Sequence, residues 1–326
     1  MKHDASTKIS EGSSKKGIIR ARIFLTGFVL LLFITSYLVR PLGGEVYDIV
    51  ATNEKIEDLA KEKEESLDVI FAGSSLVFQD ISPLNIWELT GITSYDLSDG
   101  GMRLCDQYAL IQNALTRQSP SILVLETMPV FSDASPYKDG YALPTNLVEK
   151  IFPIFHYHIF YKSFHPFEER DESNSLMKGF QPSYDVKEYT GEADYMAESS
   201  DVIEIEPLNE EYLEKILTLC RDNDIELVLA SMPSPVNYDR GHHDCMSEWA
   251  ADNGVKYIDL NLMTDELGID WSSDTKDGGD HLNYNGAKKV STYLAGYLRD
   301  NFDLEDHRTD EAYAGWNADY EEAGLE

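Results

Sequence analysis

Basic residues and cysteine are both scarce in this 326-residue chain. Lys and Arg number 27 against 59 Asp and Glu, a formal net charge of −32. A surface of that sign repels nucleic acid instead of holding it through released counterions. The three cysteines, Cys105, Cys220 and Cys245, are too few and too scattered for a disulfide framework, and no two have metal-ligand spacing. Cys105 and Cys220 lie in apolar-periodic stretches and read as small buried hydrophobes. No nucleotide-binding loop and no metal cluster is visible, so no cofactor is implied. No internal repeat or low-complexity tract occurs either. Core material is plentiful: hydrophobic residues make up 42%, which excludes disorder of the whole chain. The length suits one large α/β domain with appendages, at ~100–200 residues per domain.

The charge is unevenly placed. Residues 1–22 hold six of the 27 basic residues and two of the 59 acidic ones, so this segment is +4 and the remainder −36. Residues 1–17 are polar and read as a disordered cytoplasmic tail. Ile23–Val39 is a run of 17 uncharged residues bounded by Arg22 and Arg40. It would span ~25 Å as a helix, near the lower limit for a bilayer. Ile18 and Ile19 extend it if Arg20 and Arg22 snorkel to the headgroups. The rival is a cleaved signal peptide, but Arg40-Pro41-Leu42 is not a small-x-small cleavage site. Residues 18–40 are therefore expected to be a signal anchor in the cell membrane, N-terminus cytoplasmic and body outside. The acidity of the body fits that placement, and it equally fits a surface tuned for solubility or a salty medium.

Residues 41–66 read as a helical stem, with Val46, Ile49, Val50, Ile56 and Leu59 among Glu–Lys neighbours. Strands are expected at Leu67–Ala72, Ser94–Leu97, Ile122–Glu126, Glu226–Ala230 and Lys256–Leu260. Helical patterns occur at Pro83–Leu89, Asp106–Arg117, Asn209–Asp222, His242–Asn253 and Tyr284–Phe302. Short apolar strands alternating with helices indicate a parallel sheet covered on both faces, over residues 67–302. An insertion at about 131–207 interrupts the rhythm where a loop can shape a site. Residues 303–326 are acidic without apolar periodicity and read as a disordered tail.

Two segments carry chemistry. Phe71-Ala72-Gly73-Ser74-Ser75 takes a buried strand into a helix. A serine there presents its hydroxyl at the carboxyl end of the sheet, where α/β proteins bind ligands; a plain Ser N-cap explains the same junction. Asp277-Gly278-Gly279-Asp280-His281-Leu282-Asn283 places a histidine among carboxylates before the last helix, suiting a general base oriented by an acid. Elsewhere the blander reading holds. His156 and His158 point to different faces of a helix and pack among aromatics. The side chains of His242-His243-Asp244-Cys245 diverge, against a metal site. Glu126, near the end of a central strand, is either a site residue or a helix-capping partner.

Taken together, about 200 residues apart and in this order, the two segments resemble the SGNH (GDSL-like) hydrolase family, whose first block is Gly-Asp-Ser and last block Asp-x-x-His. Gly73-Ser74-Ser75 matches the first block, with Ser74 where the family has Asp. The resemblance implies Ser75 as nucleophile and His281 as base. Tyr95-Asp96-Leu97-Ser98-Asp99-Gly100-Gly101 resembles the second block. It implies an oxyanion hole built from the N–H groups of Ser75 and Gly101. The closest likeness is to the membrane-anchored branch that includes teichoic-acid D-alanylation and polysaccharide O-acetylation proteins. It implies a three-layer α/β/α flavodoxin-like parallel sheet and a serine esterase or O-acyltransferase outside the membrane. The implied partners are an acylated cell-surface polysaccharide or teichoic acid and a membrane-bound O-acyltransferase. A catalytically silent accessory protein on the same scaffold is the alternative.

Two departures stand out. The family's third block offers an Asn, whereas this chain has Leu125-Glu126-Thr127-Met128-Pro129, so the oxyanion hole lacks a donor or borrows Thr127. One lost donor removes ~2.7–4 kcal/mol of transition-state stabilisation. The family's acid lies three residues before the histidine, where Gly278 stands here. That leaves Asp277 at four and Asp280 at one. Asp277 is favoured, because Gly278-Gly279 can tighten the loop while adjacent side chains such as Asp280 and His281 project apart.

Overall fold

The N-terminal apolar run forms part of one long helix in the computed structural model, which describes residues 4–38, 58–132, 152, 176–192, 194–198 and 202–325. This helix, α1 (Asp4–Leu38), belongs to the first of two units, Met1–Val50 with Ala142–Glu169. The second unit is Ala51–Tyr141 with Arg170–Glu326. Within α1, Lys16–Ser36 has 21 residues and mean hydropathy 2.1, long and apolar enough to cross a membrane. At 1.5 Å per residue it covers about 32 Å, close to the hydrocarbon thickness of a bilayer. Ile23, Phe24, Leu30 and Ile34 along it are exposed. The expected disorder before residue 18 is corrected, since the backbone is helical from Asp4. Extending an existing helix avoids the costly nucleation step, so a polar segment joined to an apolar helix continues it.

The second unit is built on a five-stranded parallel sheet. Its strands are β1 (Val69–Gly73), β2 (Ser94–Ser98), β3 (Ile122–Glu126), β4 (Glu226–Ser231) and β5 (Lys256–Asp259). Their spatial order is β2-β1-β3-β4-β5, the flavodoxin-like doubly wound order. Every residue of β1, β2 and β3 is buried, as a sheet covered on both faces requires. The helices between strands are α2 (Ser75–Asp80), α3 (Pro83–Thr90), α4 (Leu104–Ala114), α5 (Pro207–Asp222) and α6 (Arg240–Asn253), and α7 (Tyr284–Asn301) follows β5. Alternate strand residues divide between the faces. Val69, Phe71, Val124, Val228 and Ala230 join Leu76 and Val77 of α2, Ile86 of α3, and Val290 and Leu294 of α7 in one core. Ile70, Leu123 and Leu229, equally buried, turn to the other face, where α4 and α5 pack on each other and on the sheet. The expected α/β fold is observed. All three cysteines are free thiols, with Cys105 and Cys220 buried.

Most of the expected stem (41–66) and insertion (about 131–207), with His156 and His158, lies outside the described residues. The end of the stem is corrected. Helix stops after Leu59 and turns follow, with Ser66 N–H donating to Gln118 Oε1 at 3.0 Å. The expected disordered C-terminus is also corrected. A helix, α8 (Ala314–Ala323), buries Trp316 against Trp87, ring centroids 5.3 Å apart. Lys178 pairs with Glu62 at 2.8 Å and with Asp319 at 2.6 Å, and lies over the Trp316 ring. One tryptophan, these ionic partners and scattered hydrogen bonds, such as Trp87 Nε1–H to Asn317 Oδ1 at 3.2 Å and His307 N–H to Gly91 O at 3.1 Å, hold the segment, too sparse a pattern to register as periodicity.

Candidate active site

Strand β1 ends at Gly73, where Glu126 of β3 and Val77 of α2 lie so close that no side chain fits. A Cβ on Gly73 would lie 2.5 Å from Glu126 Cβ and 2.7 Å from Val77 Cγ2. Ser74 then caps α2, its Oγ accepting the Leu76 N–H at 3.3 Å. Ser75 is the first residue of that helix, just past the carboxyl end of β1 and partly exposed.

The histidine arrives on the loop before α7. Thr275 and Leu282 form an antiparallel bridge, and between them Gly278 and Gly279 adopt φ of +91° and +96°. These left-handed conformations fold the loop tightly enough for residue 277 to reach back to residue 281. Asp277 Oδ1 accepts the His281 N–H at 2.8 Å, and Asp277 Oδ2 lies 2.7 Å from His281 Nδ1. His281 Nε2 lies 2.7 Å from Ser75 Oγ. Serine, histidine and aspartate thus form one continuous series, across 206 residues of sequence between Ser75 and His281.

Asp280 is the weaker partner. Its Oδ2 is 3.7 Å from His281 Nδ1, beyond hydrogen-bond distance, and its Oδ1 accepts from Asn237 Nδ2 at 2.7 Å. Asp277, Asp280 and His281 offer ligand atoms within 4.8 Å of one another, yet both imidazole nitrogens already face Asp277 and Ser75. His242 and His243 turn apart, onto Asp239 at 2.7 Å and Asp259 at 2.9 Å.

Gly101 lies in the exposed turn after β2, with φ +65° and open space around its missing side chain. Strand β2 runs parallel to β1 with Ser98 opposite Gly73, so this turn leaves the same end of the sheet as the elbow Gly73-Ser74-Ser75. Thr127, the expected substitute donor, does not turn outward. It is fully buried, with Oγ1 at 2.5 Å from Ser231 Oγ and 3.0 Å from Tyr238 OH.

Two buried carboxyls brace the series. Asp80, at the end of α2, accepts the Leu282 N–H at 3.0 Å and so ties the helix that Ser75 opens to the histidine loop. Burial pushes its carboxyl well above the ordinary range, against the pull of the Leu282 bond. Glu126 accepts from Ser74 N–H and Oγ–H, and burial raises its carboxyl likewise. Sequence reading misses Asp80, which ends a short helix with no distinguishing pattern. It leaves Glu126 undecided, although one acid closing the apolar run Ile122–Leu125 is a usable signal. A cavity of about 620 Å³ lined by Lys61, Glu62, Tyr313 and Asp319 contains none of the three series residues.

No family model matches the chain, and no curated protein matches it. Solved structures give fold-level likenesses. A candidate acylhydrolase from Bacteroides fragilis is 10% identical, covering 78% of this chain and 98% of its own, with a TM-score of 0.41. A candidate lipolytic protein of the G-D-S-L family from Desulfitobacterium hafniense is 11% identical, covering 71% and 99%, at 0.40. A GDSL-like lipase from Bacteroides thetaiotaomicron is 9% identical, covering 76% and 95%, at 0.36. Similarity this distant transfers no activity, and the chemistry of this chain stands on its own side-chain distances.

Proposed function

We propose that the chain is a membrane-anchored, extracytoplasmic serine esterase or O-acyltransferase acting on acyl esters of a cell-surface polymer. The observation that carries this reading is the Ser75–His281–Asp277 series, with two contacts of 2.7 Å. His281 Nε2 takes the Ser75 hydroxyl proton as Oγ bonds to the ester carbonyl carbon. Asp277 accepts the Nδ1–H and stabilises the imidazolium. The carbonyl electrons pass to oxygen, and the N–H groups of Ser75 and Gly101 receive the oxyanion. When the intermediate collapses, the bond to the alcohol breaks and His281 returns its proton to the leaving oxygen. Water then opens the acyl-serine to a carboxylic acid, or a sugar hydroxyl opens it to a new ester; His281 takes the proton of the incoming oxygen and returns it to Ser75 Oγ as the acyl–serine bond breaks.

Residues 18–40 anchor the protein in the bilayer in this reading, the basic N-terminal segment remaining on the cytoplasmic side. An acylated polysaccharide or teichoic acid is the substrate, and a membrane-bound O-acyltransferase is the partner that supplies acyl groups. The inward-facing Thr127 leaves the oxyanion hole with two donors, which fits slow turnover. It also gives the rival reading, a silent accessory protein on the same scaffold, its specific support.

A fluorophosphonate probe separates the two. Wild type should label covalently, Ser75→Ala should not label, and Ser74→Ala should label more slowly than wild type. Folded wild type that stays unlabelled would leave the accessory reading standing.

A further inference from the structure

Glu126 is fully buried and neither gives nor takes a proton in the acyl-transfer steps, yet it sits directly beneath the nucleophile. Its Oε2 accepts the Ser74 N–H at 3.0 Å and the Ser74 hydroxyl at 2.7 Å. Its Oε1 accepts the Tyr238 hydroxyl and the Met128 N–H, both at 2.5 Å. Four donors fill the four acceptor sites of a carboxylate, so none is left to touch a substrate.

The effect on the elbow is specific. Ser74 Oγ donates to Glu126 and accepts the Leu76 N–H. The peptide N–H before Ser75 and the one after it are therefore held in one network, directly through Ser74 N–H and indirectly through Leu76 N–H. The Ser75 N–H takes part in neither bond and remains for the oxyanion. The Glu126 backbone is held in register at the end of β3, opposite Ala230 of β4. The missing Cβ at Gly73 lets Glu126 lie against the elbow. A carboxyl this buried is a poor choice for stability alone, since an apolar residue at the end of an apolar strand would carry no desolvation penalty.

We propose that Glu126 is a positioning residue. Acting through Ser74, it fixes the elbow so that the Ser75 hydroxyl meets His281 Nε2. The inference rests on the serine-nucleophile reading and deepens it. A displacement of ~1 Å at a nucleophile lowers rate by ~10²-fold, which sets the expected effect.

The test measures kcat and KM on an acetyl ester, fluorophosphonate labelling rate and thermal midpoint. The proteins are wild type, Glu126→Ala, Glu126→Gln, Ser74→Ala and the Ser74→Ala/Glu126→Ala double variant. Glu126→Ala should lower kcat and labelling rate by about 10²-fold with KM within about twofold, at a temperature where it is folded. Glu126→Gln keeps one acceptor oxygen for Ser74 and should fall between wild type and Glu126→Ala. The double variant should lose less than the product of the two single losses, because both act on one network. If Glu126→Ala does not fold, Glu126→Gln takes its place in the same cycle. Folded Glu126 variants with kcat near wild type, or losses that multiply, would overturn the proposal. Wild type that fails to label would remove the nucleophile reading and this inference with it, a result distinct from labelled wild type with indifferent Glu126 variants.

Discussion

Replacing Asp277 by Asn tests which carboxylate orients the histidine. Both Asp277 oxygens are engaged by residue 281, one by its backbone N–H at 2.8 Å and the other by its ring at 2.7 Å. The amide keeps the shape and the backbone contact, but it can turn an NH₂ toward Nδ1. That favours the tautomer with its proton on Nε2, where Ser75 needs an acceptor. The scale for a misoriented catalytic histidine is up to ~10⁴ in kcat, or about 5.4 kcal/mol at 1.36 kcal/mol per tenfold. The Asp277 side chain is 33% exposed, so water can partly replace it, and about 10³ is expected. Asp280→Asn should stay within about threefold of wild type, because its oxygen lies 3.7 Å away and a pair so placed contributes little. Turnover of an acetyl ester near neutral pH, with unfolding midpoints for both variants, decides the matter. A large loss confined to Asp280→Asn at unchanged stability would refute the assignment, and no loss in either would mean a Ser–His dyad.

Asp80→Asn tests the buried carboxyl behind the histidine loop. Burial raises the folded pKa of Asp80 above its ordinary value of 3.8, so its contribution is complete below that value and is lost as pH rises toward the folded pKa. The Asp80→Asn variant does not titrate there, so it should gain melting temperature relative to wild type as pH rises above the ordinary value of 3.8. A gap independent of pH would contradict this. Trp316→Ala, removing a side chain 5% exposed, should cost about 3–5 kcal/mol in urea unfolding, and a change under about 1 kcal/mol would mean that α8 detaches freely. External protease on whole cells should digest residues 67–300 while sparing a tag before Met1, and a domain left intact beside a digested surface control would disprove the outward topology.

How much is legible in the sequence follows from the range of each signal. The strand cores are short apolar runs such as Val69–Ala72 and Ile122–Leu125, which burial on both faces demands; β3 has its expected limits, while those of β1 are shifted by one or two residues. The preference for Asp277 comes from Gly278 and Gly279, whose positive φ angles are local properties of glycine. Partnerships across the fold leave no such trace. Trp316 meets Trp87 across 229 positions, and Asp80 meets Leu282 across 202. Neither acid nor tryptophan differs by itself from a surface residue. Thr127 qualifies as a donor by residue type, but its hydroxyl turns inward to Ser231 and Tyr238.

The distance in sequence between Ser75 and His281 has a temporal meaning. At synthesis rates of about 5–20 residues per second, the serine leaves the ribosome roughly 10–40 s before its histidine. During that interval Ser75 has neither base nor orienting acid. The loop that brings them is held by Asn283 and by the packing of α7 on the elbow helices, so it closes only after residues up to about 300 have joined the core. In the proposed mechanism, a chain arrested or clipped before Asp277 would carry Ser75 as an ordinary serine, with no imidazole to take its proton.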